Sequence, residues 1–231
     1  MRIQSLLRSP RRLLALGGIA LAAATTACGP IQSHATLGNS ADYSTNVYSG
    51  WVQRWNPCSP IHYRVNADRA PGELSRVFSA VSSISQATGL RFVYDGATSF
   101  VPTAGNWNQP SDLVISFANH DGMSGGSSYL AGANQLGEGG FQSTYMTSND
   151  RITNYKITKG YAVIDAVAYG YSSAKVRNDT LLHELGHAVG LNHARYSSEI
   201  MYPVISDYSP SGYTAGDLSG LAQVGSGQGC L

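Results

Sequence analysis

The chain lacks an apolar stretch of the roughly 20 residues that a membrane-spanning helix requires. The run from Leu13 to Ala24 stops after twelve, which disfavours a permanent transmembrane anchor. Charge is scarce too: 13% of the 231 residues are Asp, Glu, Lys or Arg and the formal net charge is +1, so no basic footprint for nucleic acid is expected. Only three cysteines are present, enough for one intramolecular disulfide. No internal repeat appears, and the length suits one domain with a real core.

The first residues carry Arg2, Arg8, Arg11 and Arg12, then the short apolar run, then small residues. That layout is a signal peptide over residues 1–27. Two processing routes fit: Thr25-Thr26-Ala27 suits ordinary signal peptidase, whereas Ala27-Cys28-Gly29 resembles a bacterial lipoprotein site that lacks the usual leucine. Removing this segment takes four of the 15 basic side chains and no acid, leaving 11 against 14. An exported protein is expected, secreted or held at the cell surface by lipid on Cys28, with no other membrane contact. In an oxidising compartment Cys58 and Cys230 are natural partners, two free thiols being the alternative. Closing that loop is worth about 5 kcal/mol at most by chain entropy.

Residues 28–50 are rich in Ser, Thr, Asn and Gly and read as a flexible leader, with the domain spanning 51–231. Ile61, Tyr63 and Val65 alternate with polar residues and predict a strand with one buried face. Leu74, Val77, Phe78, Val81 and Ile84 recur at helical spacing up to Gly89, a residue that ends helices. Strands are expected at 90–94, 113–117 and 161–167, and a last short helix at 215–223. From His120 to Ser143 the glycine and serine content predicts loop or irregular edge strand.

A second helix is predicted from Leu181, after Asp179-Thr180, and it contains His183-Glu184-Leu185-Gly186-His187. Residues four apart in a helix lie one above the other, so His183 and His187 can point at a single ion. Glu184 sits about 100° further round the axis, close enough to touch a water on the metal without being a ligand. Gly190 can take positive φ, end the helix and let His193 supply a third nitrogen. Three protein ligands leave a fourth position for water, which marks a catalytic zinc and not a closed structural one. By this chain's residue frequencies the pattern would arise by accident in about one such chain in 10⁵, which sets aside a helix with unrelated surface histidines.

HELGHAVGLNH resembles the elongated zinc signature of the metzincins. Beyond it, Glu199-Ile200-Met201-Tyr202-Pro203 is similar to the turn whose methionine packs beneath the metal, in the matrixin arrangement. Trp55-Asn56-Pro57-Cys58, Ala87-Thr88-Gly89 and Gly216-Asp217-Leu218-Ser219-Gly220-Leu221 extend the resemblance from Trp51 to the end.

The resemblance implies an α+β, zincin-like fold: a twisted mixed sheet on a long helix, the zinc helix below a cleft, and a small irregular C-terminal part. It implies one catalytic Zn2+ held by His183, His187 and His193, with Glu184 as general base in a metalloendopeptidase. It gives Met201 its place under the metal and Asp217 the role of bracing the methionine turn, a solvated helix-start acid being the alternative. Substrate polypeptide is expected along an edge strand, with Ser127–Phe141 as the candidate rim; a mobile surface loop is the alternative. A tyrosine ligand is not expected from Tyr202. His120-Asp121 is only a fragment of the family's second zinc site, His62 shows no partner, and Cys28-Gly29-Pro30 lacks the flanks of the inhibitory cysteine segment. Asp150, Asp165 and Asp179 form no recognisable calcium loop. The enzyme is expected to act as a monomer. A catalytically dead binding protein and a purely structural domain remain as readings from other classes, separated from a peptidase by a casein assay and by zinc analysis.

Overall fold

Strand alternation and helical spacing meet in one layered arrangement in the computed structural model, which describes residues 37–132 and 135–231. The signal peptide and Cys28 lie outside the described residues. In chain order the elements are β1 (Ser44–Thr45), β2 (Val47–Tyr48), β3 (Trp51–Arg54), β4 (Ile61–Asn66), α1 (Leu74–Thr88), β5 (Phe92–Ala97) and β6 (Leu113–Ala118). There follow β7 (Gly137–Ser148), β8 (Arg151–Asp165), α2 (Ala166–Tyr171), α3 (Ala174–Val189), β9 (Leu191–Asn192) and α4 (Ala215–Val224).

Strands β5, β4, β6 and β8 pair in parallel, in that order. The fifteen-residue β8 also meets β3 in parallel at Tyr155 and Lys156, while β7 runs antiparallel beside it from end to end. The sheet is therefore mixed, and among the described residues no strand pairs with the outer edge of β7.

One face of this sheet buries Ile61, Tyr63, Val65, Leu113, Ile115, Phe117, Ala162 and Ile164 against Val77, Ala80, Val81 and Ile84 of α1 and Leu181, Leu182, Leu185, Ala188 and Val189 of α3. Burying a large aliphatic side chain contributes roughly 1.5–3 kcal/mol, so this face fixes both helices on the sheet. The opposite face carries a smaller cluster of Ala118, Leu130, Tyr161 and Val163, flanked by Trp107 and Tyr129. Cys58 and Cys230 are joined, tying the start of the sheet to the C-terminus.

Three expectations need correction and one alternative is decided. Residues 37–50, read as leader, are tied into the fold: Ser44 and Thr45 pair with Asn192 and Leu191, Ala215 N–H donates to the Leu37 carbonyl at 2.8 Å, and Asn39 N–H donates to Glu199 Oε1 at 2.7 Å. Their polar composition hid these contacts because most use backbone groups. Of the segment expected as loop or irregular edge strand, Gly137 to Ser143 takes the second form: it is an edge strand with a register shift at Gln142/Ser143, held by pairing with β8 despite the low β-propensity of its glycines. Ala166 and Val167, expected in strand, begin α2, because the Asp165 carboxylate caps that helix by accepting from Val167 and Ala168 N–H. Helix α3 starts at Ala174, seven residues before Leu181, capped by the Ser173 hydroxyl, which accepts from Val176 N–H.

Candidate metal centre and substrate cleft

Helix α3 brings His183 and His187 onto one face, one turn apart. Gly190 ends it at φ +118°, a value that a residue with a Cβ rarely adopts, and its N–H closes on the Gly186 and His187 carbonyls. The chain then turns through β9 and presents His193. The ligand nitrogens of His183, His187 and His193 all lie within 4.8 Å of one another. His183 Nε2 and His187 Nε2 stand 3.1 Å apart, close to the about 3.3 Å that separates two nitrogens on one tetrahedral zinc.

On α3 the other ring nitrogens are occupied. His183 Nδ1 lies 2.7 Å from the Ile200 carbonyl and His187 Nδ1 lies 3.0 Å from the Leu191 carbonyl. A carbonyl only accepts, so each Nδ1 carries the proton and each Nε2 keeps its lone pair for a metal. Burial, then the neighbouring His187 charge, pushes the His183 pKa down to about 3, and burial pushes His187 down to about 4. His193, exposed at the cleft mouth, is lowered by the same cause. Neutral imidazoles, two of them with fixed tautomers, are the form that binds zinc, so these residues fit the ion.

Glu184 is almost wholly buried, and burial, helped by the nearby Glu138 charge, raises its pKa well above the carboxylate value. A carboxylate short of solvation in this way takes a proton more readily than an exposed one. It lies beneath β7: a Cβ on Gly137 would stand 2.8 Å from Glu184 Oε1, and one on Gly139 would overlap the Glu184 backbone. The glycines that suggested loop thus let an edge strand settle on the helix. His183, Glu184, His187, His193 and the edge of β7 line one cleft of about 860 Å³, and Pro203, Val204 and Ile205 also form part of its wall.

Met201 is buried against Gly186, on the turn of α3 between His183 and His187. Asp217, buried on α4, accepts from Ile200 N–H at 2.8 Å and Met201 N–H at 3.0 Å. It is also part of the capping box with Thr214, but it is buried, so the alternative of a solvated helix-start acid does not hold. Burial raises its pKa, against the pull of these N–H groups.

Three contributors gave no sequence signal of their own. Asp42, in the expected leader, accepts from Arg195 N–H at 2.9 Å and Tyr196 N–H at 2.8 Å, just past His193. Glu199 joins Asn39, Thr214, Gly216 and Asp217. The Tyr213 hydroxyl donates to the Leu182 carbonyl at 2.8 Å. Only the adjacency of Glu199 to the methionine turn could have drawn attention to any of them. His62 Nδ1 meets Asp95 at 3.0 Å, and His120 Nε2 meets Asp165 Oδ2 at 2.9 Å with Nδ1 against the Leu130 carbonyl. Neither joins the cluster. Of the expected rim, Gln135 to Phe141 lines the cleft, whereas Ser127 is buried with its hydroxyl on the Pro102 carbonyl.

The family model described as Matrixin, a peptidase family, matches residues 66–224, a span that holds all three imidazoles, Glu184, Met201 and Asp217. No curated protein matches the chain.

Proposed function

Since the chain belongs to the matrixin family and is a zinc metalloendopeptidase of that type, we propose that it hydrolyses exported or surface-exposed proteins, with Glu184 as general base and His183, His187 and His193 as ligands. The observation that carries this reading is the convergence of three neutral imidazoles beside a buried carboxyl, under an edge strand with no partner among the described residues.

Zinc, when bound, polarises the scissile carbonyl and lowers the pKa of a water from 15.7 toward about 7. The substrate backbone pairs with the free edge of β7, an extended strand added to an existing sheet. Glu184, within reach of that edge, accepts the proton of the attacking water and returns it to the leaving amine. Asp217 and Met201 hold the floor on which the imidazoles rest, and Asp42 holds the chain just after His193. One chain supplies every residue of the site, which supports action as a monomer.

Export is supported by the Cys58–Cys230 bond, since such bonds persist in oxidising compartments. Replacement of Glu184 by Ala tests the chemistry: zinc content stays near one per chain while casein or gelatin hydrolysis falls by a factor on the order of 10³ or more. A Glu184→Ala protein with wild-type turnover refutes the assignment.

A further inference from the structure

Strand β7 presents two different faces to whatever pairs with its edge. Gly137 and Gly139 face Glu184 and the zinc helix. The register of Glu138 opposite Val163 and Gly140 opposite Tyr161 turns these residues to the other face, where Tyr161 and Val163 form the small cluster. Paired residues in an antiparallel ladder share a face.

On that second face Glu138 is half-buried and lines the cleft together with Tyr161. Its Oε2 accepts from Gln135 Nε2 at 2.8 Å. Among the described residues no lysine or arginine pairs with it, and none lines the cleft. Tyr161 stacks on Tyr129, ring centroids 4.1 Å apart at 15°. Gly140 leaves the Tyr161 hydroxyl room at the strand, because a Cβ there would stand 2.6 Å from it. A carboxylate beside an aromatic pair, with a phenolic oxygen at hand, matches a long side chain that ends in a cation.

We propose that Glu138, sharing the cleft wall with Tyr161, is a specificity-determining residue that selects lysine or arginine at a substrate position near the scissile bond. This rests on the peptidase reading above. A peptide extended along β7 alternates its side chains: one set faces the helix and the zinc, and the neighbouring set meets Glu138. Opposite charges across such a pair attract and like charges repel, so Lys and Arg are favoured there while Asp and Glu are rejected. Burial already raises the Glu138 pKa, so its carboxylate is short of solvation and gains from a cation.

The test uses the zinc-loaded protein. Digestion of a proteome-derived peptide mixture locates the position, and matched peptides carrying Lys, Gln or Glu there give kcat/KM ratios. The wild type is expected to prefer Lys over Gln about tenfold, with Glu below Gln. In Glu138→Gln the Lys to Gln ratio falls to about one, and in Glu138→Lys the order reverses. Because each ratio is taken within one enzyme, a general loss of activity cancels. Cleavage by the wild type with no cationic preference within about three residues of the cut overturns the subsite alone, as does a preference that survives Glu138→Gln. Failure to cut any peptide sinks the peptidase reading and the subsite with it.

Discussion

Gly137 lies so close to Glu184 that a single methyl group between them would stand 2.8 Å from both Oε1 and Cγ of the carboxylate side chain. The edge strand and the proposed base thus share one contact surface, and the space between β7 and α3 sets where the carboxylate can point.

Substitution of Gly137 by Ala should therefore push Glu184 aside without touching the imidazoles. We expect kcat to fall about 10–100-fold, as displacements near 1 Å at reacting groups do, with zinc content unchanged. Steady-state kinetics alongside metal analysis checks this. Loss of zinc in parallel with activity would show that the strand supports the metal site and not the base.

Asp217 supplies both oxygens to buried N–H groups of the methionine turn. Asp217→Ala should lower stability by about 2–4 kcal/mol, since it strands those donors and removes a capping box. Asp217→Asn, which keeps one acceptor, should recover part of the loss. Denaturant unfolding of the metal-free proteins measures both.

Asp42 touches no substrate, yet it fixes the two peptide groups that follow the Ala194 neighbour of His193. Asp42→Ala is expected to weaken zinc about tenfold, the scale seen when groups orienting a ligand are removed. Competition with a chromophoric chelator reads the affinity, and an unchanged zinc constant would reduce Asp42 to a fold contact.

The metal-free protein has two opposing pH responses. His183 and His187 have folded pKa values lowered to about 3 and about 4 from the ordinary 6.5. Their contribution is therefore present above pH 6.5 and is lost as pH falls toward those values. Glu184 is raised from 4.5, so its contribution is present below pH 4.5 and is lost as pH rises through its folded value. Glu184→Gln should consequently melt higher than the wild type at pH 8 and converge with it near pH 4, while both lose stability between pH 6.5 and 3. Thermal melts across that range, in chelator, test the two signs.

Much of this site was legible in the sequence because it is local. Three histidines and an acid fall within eleven residues of one helix and its exit, and helical periodicity plus one glycine suffices to bring them together. The helix α1, the strands near 61, 92 and 113 and the C-terminal helix were legible for the same reason. What stayed hidden depends on distant backbone partners. Asp42 and Asn39 act on residues some 150 positions away, and their polar neighbourhood looks like any leader. The glycines of β7 leave loop and irregular edge strand both open until α3 is known to lie against them. Asp165 reads as part of a strand and does end β8, but nothing in its run shows that its carboxylate also starts a helix.

X-ray absorption at the zinc edge of the metal-loaded protein tests the central claim most directly. The account predicts three imidazole nitrogens at about 2.0–2.1 Å and one exchangeable oxygen ligand. Fewer than three imidazoles, or a fourth ligand from the protein, would contradict it.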